Sequence, residues 1–185
     1  MSLDLKILYS QWRALPNVIS LFRILLIIPI VILYPVEEYK WVALTLICIA
    51  FISDGLDGWI ARKFDKKTDL GLILDPLADK IWTFTLIVLI ILFRELPILL
   101  GMIIIGRDVI ILGMNAYIVQ HGGRLLASSF LGKTYMALTG VMIIGYTLHI
   151  SESIFLGYAL AILTPVILVD YYLRIKKSID LNETT

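Results

Sequence analysis

Six stretches of about twenty mostly apolar residues, cut apart by polar punctuation, leave this 185-residue chain few ways to fold. They run at about 17–35, 40–62, 71–93, 96–119, 130–149 and 153–176. A helix needs roughly 20 apolar residues to cross the hydrocarbon of a bilayer, and only helices or closed barrels satisfy their own backbone there. The spacing therefore predicts an all-α fold: an integral membrane bundle of six transmembrane helices, with no room for a soluble domain. Composition agrees, since 59% of residues are hydrophobic and 17% charged, against roughly 45–50% and 25% in soluble domains. Mean hydropathy is +0.92. A formal net charge of +1, from 16 basic and 15 acidic groups, is no electrostatic footprint for a nucleic acid. The single cysteine, Cys48, lies inside an apolar run and reads as packing, so no intrachain disulfide and no CxxC site is expected.

Residues 1–16 interleave Leu3, Leu5, Ile7, Leu8 and Trp12 with Asp4, Lys6, Gln11 and Arg13 and end at Pro16. This is the pattern of an amphipathic helix lying in the interface, and without a small-residue cleavage site it is expected to stay attached. The division expected is thus an interfacial helix at 1–16, a six-helix transmembrane domain at 17–177 and a cytoplasmic tail at 178–185. Orientation follows from the basic residues, because cytoplasmic loops carry the Lys and Arg excess. Eleven fall on one side of the bundle, only Lys40 and Arg94 on the other, and Arg23, Lys80 and Arg107 inside spans. Both termini are therefore expected in the cytoplasm, with short external links at 34–40, 93–97 and 149–153.

An ionisable side chain inside a span costs on the order of 2.5–3.5 kcal/mol on insertion scales, so a group of them needs a reason. Asp54 and Asp57 fall near the cytoplasmic end of the second helix, Asp75 and Asp79 at the start of the third. Residues three or four apart share a helix face, so each pair projects to one side, and the polar link 63–70 brings both pairs to one depth. Four carboxylates cannot all stay ionised there without compensation. One reading is divalent cations: hard oxygen ligands suit Mg²⁺, Mn²⁺ or Ca²⁺, as one ion or a pair about 3.5–4 Å apart. The other readings are an ion or proton pathway, or salt bridges to Arg62, Lys80 and Arg107. A conduction path needs acids at successive depths, which argues against the pathway. Gly55, Gly58, Ala61 and Gly71 sit among the acids, either to let a ligand approach the backbone or for close helix packing.

Written out, the segment is Asp54-x2-Asp57-Gly58-x2-Ala61-Arg62-x8-Gly71-x3-Asp75-x3-Asp79, eight identities at set spacings across 26 positions. At every fixed position it resembles the signature of the CDP-alcohol phosphotransferase family. Residues 16–23, the run 74–80, Arg107-Asp108 and Gly132-Lys133 look like the bacterial phosphatidylglycerophosphate synthase branch, so the resemblance spans about 16–140. It implies transfer of a substituted phosphate from CDP-diacylglycerol to an alcohol, with release of CMP. It further implies a homodimer in the bacterial inner membrane with its active site on the cytoplasmic side. Asp54, Asp57, Asp75 and Asp79 would hold two ions, Mg²⁺ or Mn²⁺, with Asp57 and Asp75 bridging and Asp79 also the general base. Gly58 and Ala61 would admit the cytidine, with Arg62 and Asn17 completing the nucleotide site and Arg23 in support.

The branch's acceptor, glycerol 3-phosphate, carries a phosphate that needs fixed cations besides the metals. Arg107, in the middle of the fourth span, is the first candidate, joined by Lys133 at the start of the fifth and by Arg62 and Arg124 at the cytoplasmic edge. The alternative for Arg107 is a salt bridge with a buried acid; for Arg124 it is a solvated loop charge. Two departures from the branch, Asp108 in place of glutamate and Thr134-Tyr135-Met136-Ala137 after Lys133, leave inositol phosphate, another polyol phosphate or a phosphatidyl lipid open as acceptors. His121 and His149 fall at span ends and no serine or cysteine is placed as a nucleophile, so direct in-line displacement is expected. Asp170 and Arg174, four apart on the last helix, read as a structural pair.

Overall fold

The computed structural model describes the backbone of residues 15–63, 69–120 and 129–183 and the side chains of 21–53, 77–118 and 129–176. Residues 1–14 of the expected interfacial helix, and Arg124, lie outside the described residues. Among the described residues all regular structure is helical: α1 Leu15–Leu33, a 3-10 turn at Glu37–Tyr39, α2 Lys40–Lys63, α3 Asp69–Phe93, α4 Ile98–Gln120, α5 Phe130–Thr147 and α6 Ser153–Glu183. Each helix falls on one of the six apolar stretches. Pro16 stands in the first turn of α1, where its missing N–H has no partner to lose. The one sizeable departure is at the end, where α6 runs on to Glu183 although the apolar run stops at 176. Hydropathy marks where lipid-like residues end, whereas a helix ends at a breaker, and residues 177–183 contain neither Gly nor Pro.

The chain divides into two compact units, Met1–Leu89 and Ile90–Thr185. In the first, α1 packs along α2. Arg23, Leu26 and Ile30 on α1 and Ala43, Ile47 and Ala50 on α2 are buried at alternating spacings of three and four, the stripe that helix packing needs. Leu25, Ile28, Ile32, Trp41 and Ile52 face outward and are exposed.

In the second unit α6 packs against both α4 and α5. Ser153, Gly157, Leu160, Thr164, Ile167, Tyr171 and Ile175 form its single buried file, while Phe155, Ile162, Val166, Val169 and Leu173 are exposed. Arg107 (5% exposed), Thr139 (2%) and Thr164 (7%) are hidden while Phe130 is 82% exposed. Polar groups inside and large apolar groups outside are the arrangement of a surface meant for an apolar surround. Among the described residues, Ile98–Ile118 and Ser153–Lys176 are long and apolar enough to cross a membrane, and Leu21–Leu33 is a shorter apolar helix. Asp170 and Arg174 pair at 3.1 Å on α6, as their spacing suggested.

The α5–α6 link is closed by backbone geometry. His149 adopts a left-handed φ of 59°. Its N–H reaches the Tyr146 carbonyl at 3.1 Å and the Ile150 N–H reaches Gly145 at 2.9 Å, a Schellman ending that turns the chain straight into α6. Gly145 is needed there for space: a Cβ would overlap the Ser153 hydroxyl and come 3.1 Å from the Ser153 Cβ. Gly145→Ala is expected to destabilise the protein by about 1–3 kcal/mol, the usual range for overpacking. Ser153→Gly should restore most of the loss; melting curves in detergent for the single and double variants check both.

Candidate active site

α2 and α3 flank residues 64–68 almost symmetrically. Asp57 stands six residues before the end of α2 and Asp75 six after the start of α3, while Asp54 stands nine before and Asp79 ten after. At 1.5 Å per residue these are distances of about 9 Å and 14–15 Å along each helix from the link. On α2, Asp54, Asp57, Gly58 and Ala61 recur at i, i+3, i+4 and i+7, one helical face. On α3, Asp75, Ala78, Asp79 and Trp82 do the same, and Gly71 stands four residues earlier on that face. Ala78 and Trp82 are buried, so the face carrying the signature continues into a buried stripe that ends in Leu86 and Ile90. The side chains of Asn17, Asp54, Asp57, Gly58, Ala61, Arg62 and Asp75 lie outside those described. Among the described residues no group of three or more metal-binding side chains occurs. Asp79, the one of the four acids whose side chain is described, is 29% exposed and lies 3.7 Å from the Lys80 ammonium. The salt-bridge reading of the acids thus holds for Asp79 with its own neighbour.

In the second unit Arg107 is the centre of a buried polar group. Its Nη1 lies 2.5 Å from the Asp108 carboxylate and 3.8 Å from the Met136 sulfur. The guanidinium carbon sits 4.5 Å from the centroid of the Tyr135 ring on α5, a cation–π contact. The Arg107 Nε is buried and finds no hydrogen-bond partner among the described residues. The N-terminal turn of α5 borders the same group. Ser129 caps it by accepting from the Gly132 N–H at 3.0 Å, and a Cβ added to Gly132 would come 3.8 Å from the Arg107 Nη2. Lys133, the next residue, is exposed. Arg107 does form a salt bridge, but with its neighbour Asp108, which the sequence did not single out as its partner. Tyr135 and Thr164 complete the surroundings of Arg107 and were not singled out from sequence. The available signal was that Tyr135 lies three residues after Gly132 and so shares its face.

The model of the CDP-alcohol phosphatidyltransferase family matches residues 13–168. The chain belongs to this family. The match to the CDP-alcohol phosphatidyltransferases takes in all eight signature positions of α2 and α3, and Arg107, Lys133, Tyr135 and Thr164 as well. Among curated relatives, the CDP-diacylglycerol–glycerol-3-phosphate 3-phosphatidyltransferase of Aquifex aeolicus is 33% identical over 108 residues, covering 57% of this chain and 60% of the relative. The protein of the same name from Pseudomonas fluorescens is 34% identical over 116 residues, 58% and 57% of the two lengths. The chain thus spans about six tenths of the length of these relatives. A cardiolipin synthase (CMP-forming) / mitochondrial hydrolase fusion protein of Schizosaccharomyces pombe is 36% identical over 104 residues, 56% of this chain and 17% of the fusion.

Proposed function

We propose that the chain transfers the phosphatidyl group of CDP-diacylglycerol to glycerol 3-phosphate, giving phosphatidylglycerol phosphate and CMP. The observation that carries this is the eight-residue signature, carried by α2 and α3 and lying within the family match. The names of the Aquifex and Pseudomonas relatives supply the donor and the acceptor. In this reading all six helices cross the bacterial inner membrane with both termini in the cytoplasm. Residues 1–16 lie in the interface, 17–177 form the catalytic domain, 178–185 trail from it, and two copies associate as a homodimer. The outward apolar faces and the eleven basic residues on one side support it.

The donor set fits a hard divalent cation, since Asp54, Asp57, Asp75 and Asp79 offer only carboxylate oxygens and no sulfur or imidazole. Two Mg²⁺ or Mn²⁺ ions held by these four would neutralise the pyrophosphate and stabilise the departing CMP. The remaining work falls to the chain itself. Asp79 accepts the proton of the acceptor hydroxyl as its oxygen bonds to the phosphatidyl phosphorus and the bond to CMP breaks. Gly58 and Ala61 leave room along α2 for the cytidine, with Arg62 and Asn17 holding it in place. Arg107, Lys133, Arg62 and Arg124 bind the acceptor phosphate.

Purified protein in detergent, given CDP-diacylglycerol and Mg²⁺, should release CMP when glycerol 3-phosphate is present. Inositol phosphate, inositol, serine, phosphatidylglycerol and no acceptor are the comparisons. Release only with phosphatidylglycerol would replace this reading with a second one, transfer to a phosphatidyl lipid, which the name of the Schizosaccharomyces relative favours. Release with none of the acceptors would overturn both. A chelator should abolish the activity and added Mg²⁺ or Mn²⁺ should restore it; CMP release that survives chelation would remove the metal ions from the reading.

A further inference from the structure

An arginine head buried beside a carboxylate is expected to turn a whole edge of its fork onto it, because the paired bonds are the strongest available. Arg107 does not. Among the described residues Nη1 alone engages Asp108, and the buried Nε has no partner. A buried charged donor without an acceptor is rare in a folded protein and calls for an explanation. The cause lies on α5 and α6. The Tyr135 ring, 1% exposed, lies against the guanidinium, and the Tyr135 hydroxyl is 3.1 Å from the Thr164 hydroxyl of α6. Thr164 has a single hydroxyl proton, which it gives to the Leu160 carbonyl at 2.9 Å. Tyr135 is therefore the donor in the pair with Thr164, which ties the ring to α6 at a fixed tilt.

We infer that Tyr135 and Thr164 are a positioning pair, which holds the Arg107 guanidinium so that its buried Nε stays uncommitted to Asp108 and is left to pair with an oxygen of the acceptor's phosphate when the acceptor binds. The inference rests on the acceptor reading above. Asp108 balances the arginine's charge from one end, and the ring stops the head from rolling further onto that carboxylate. Neither Tyr135 nor Thr164 touches substrate; both act through Arg107.

The test compares KM for glycerol 3-phosphate, KM for CDP-diacylglycerol and kcat in wild type, Tyr135→Phe, Thr164→Val, the double variant and Arg107→Lys. Tyr135→Phe keeps the ring and removes the tether; Thr164→Val keeps the shape and removes the same tether from its other end. Each is expected to raise KM for glycerol 3-phosphate about threefold to tenfold, the worth of one neutral hydrogen bond, with kcat and the donor KM unchanged. Because both cut one link, the double variant should be no worse than either single. If Arg107→Lys raises the acceptor KM and the two tether variants do not, the positioning pair is overturned and the acceptor reading stands. If Arg107→Lys has no effect, the acceptor reading falls and takes the pair with it. Additive effects in the double variant, or a lower melting temperature with no change in the acceptor KM, would likewise overturn the pair in favour of plain packing.

Discussion

Asp79→Asn lowers CMP release by about 10²–10⁴-fold, the usual worth of a positioned general base. The exchange preserves side-chain volume, so the buried stripe of Ala78 and Trp82 on the same face of α3 is undisturbed. It also ends the ion pair with Lys80, but at 3.7 Å, with both side chains still partly exposed (29% and 23%), that pair contributes less than about 1 kcal/mol. The loss should therefore appear in turnover and not in folding. A melting curve in detergent should match wild type while CMP release collapses. An Asn variant that turns over within tenfold of wild type would remove Asp79 as the base.

Arg107→Lys raises KM for glycerol 3-phosphate by about 10- to 150-fold, which corresponds to losing one charge-assisted hydrogen bond of about 1.5–3 kcal/mol. Lysine is the informative replacement. Alanine would take the guanidinium away from the Asp108 carboxylate, 8% exposed, and removing one member of a buried ion pair costs about 3–5 kcal/mol. A lysine keeps a cation near Asp108 but has no counterpart of Nε, only a point charge on a flexible stem. Binding of the acceptor phosphate should suffer, while KM for the donor and the melting temperature hold. Steady-state kinetics with each substrate varied in turn separate the two, and an unchanged acceptor KM would count against Arg107.

What the sequence makes legible follows from where each feature is encoded. Helix α2 occupies Lys40–Lys63 against an expected 40–62, because bilayer-length apolar runs bounded by polar residues specify helices directly. The signature was equally plain, since all eight of its residues fall within one helix–link–helix segment and its spacings are those of a helix face. The surroundings of Arg107 were not. Tyr135 follows it by 28 residues and Thr164 by 57, on two other helices, and an apolar pattern tells which face is buried but not which residue meets it. The Arg107–Asp108 pair escaped for the opposite reason, because adjacent helix residues ordinarily diverge and here both side chains bend together in the interior. The extension of α6 to Glu183 was hidden because hydropathy carries no information past residue 176.

The single buried file of α6 divides that helix into two histories. Positions such as Gly157, Leu160, Thr164 and Tyr171 are each held by a particular neighbour: a Cβ on Gly157 would come 3.0 Å from Leu100, and Tyr171 is hydrogen-bonded to Asn115. The outward positions, Phe155, Ile162, Val166 and Leu173 among them, answer only to a requirement for oiliness. Mutational drift along α6 is therefore channelled, with exchanges among Phe, Ile, Val and Leu accumulating freely on one side while the other keeps its residues in place.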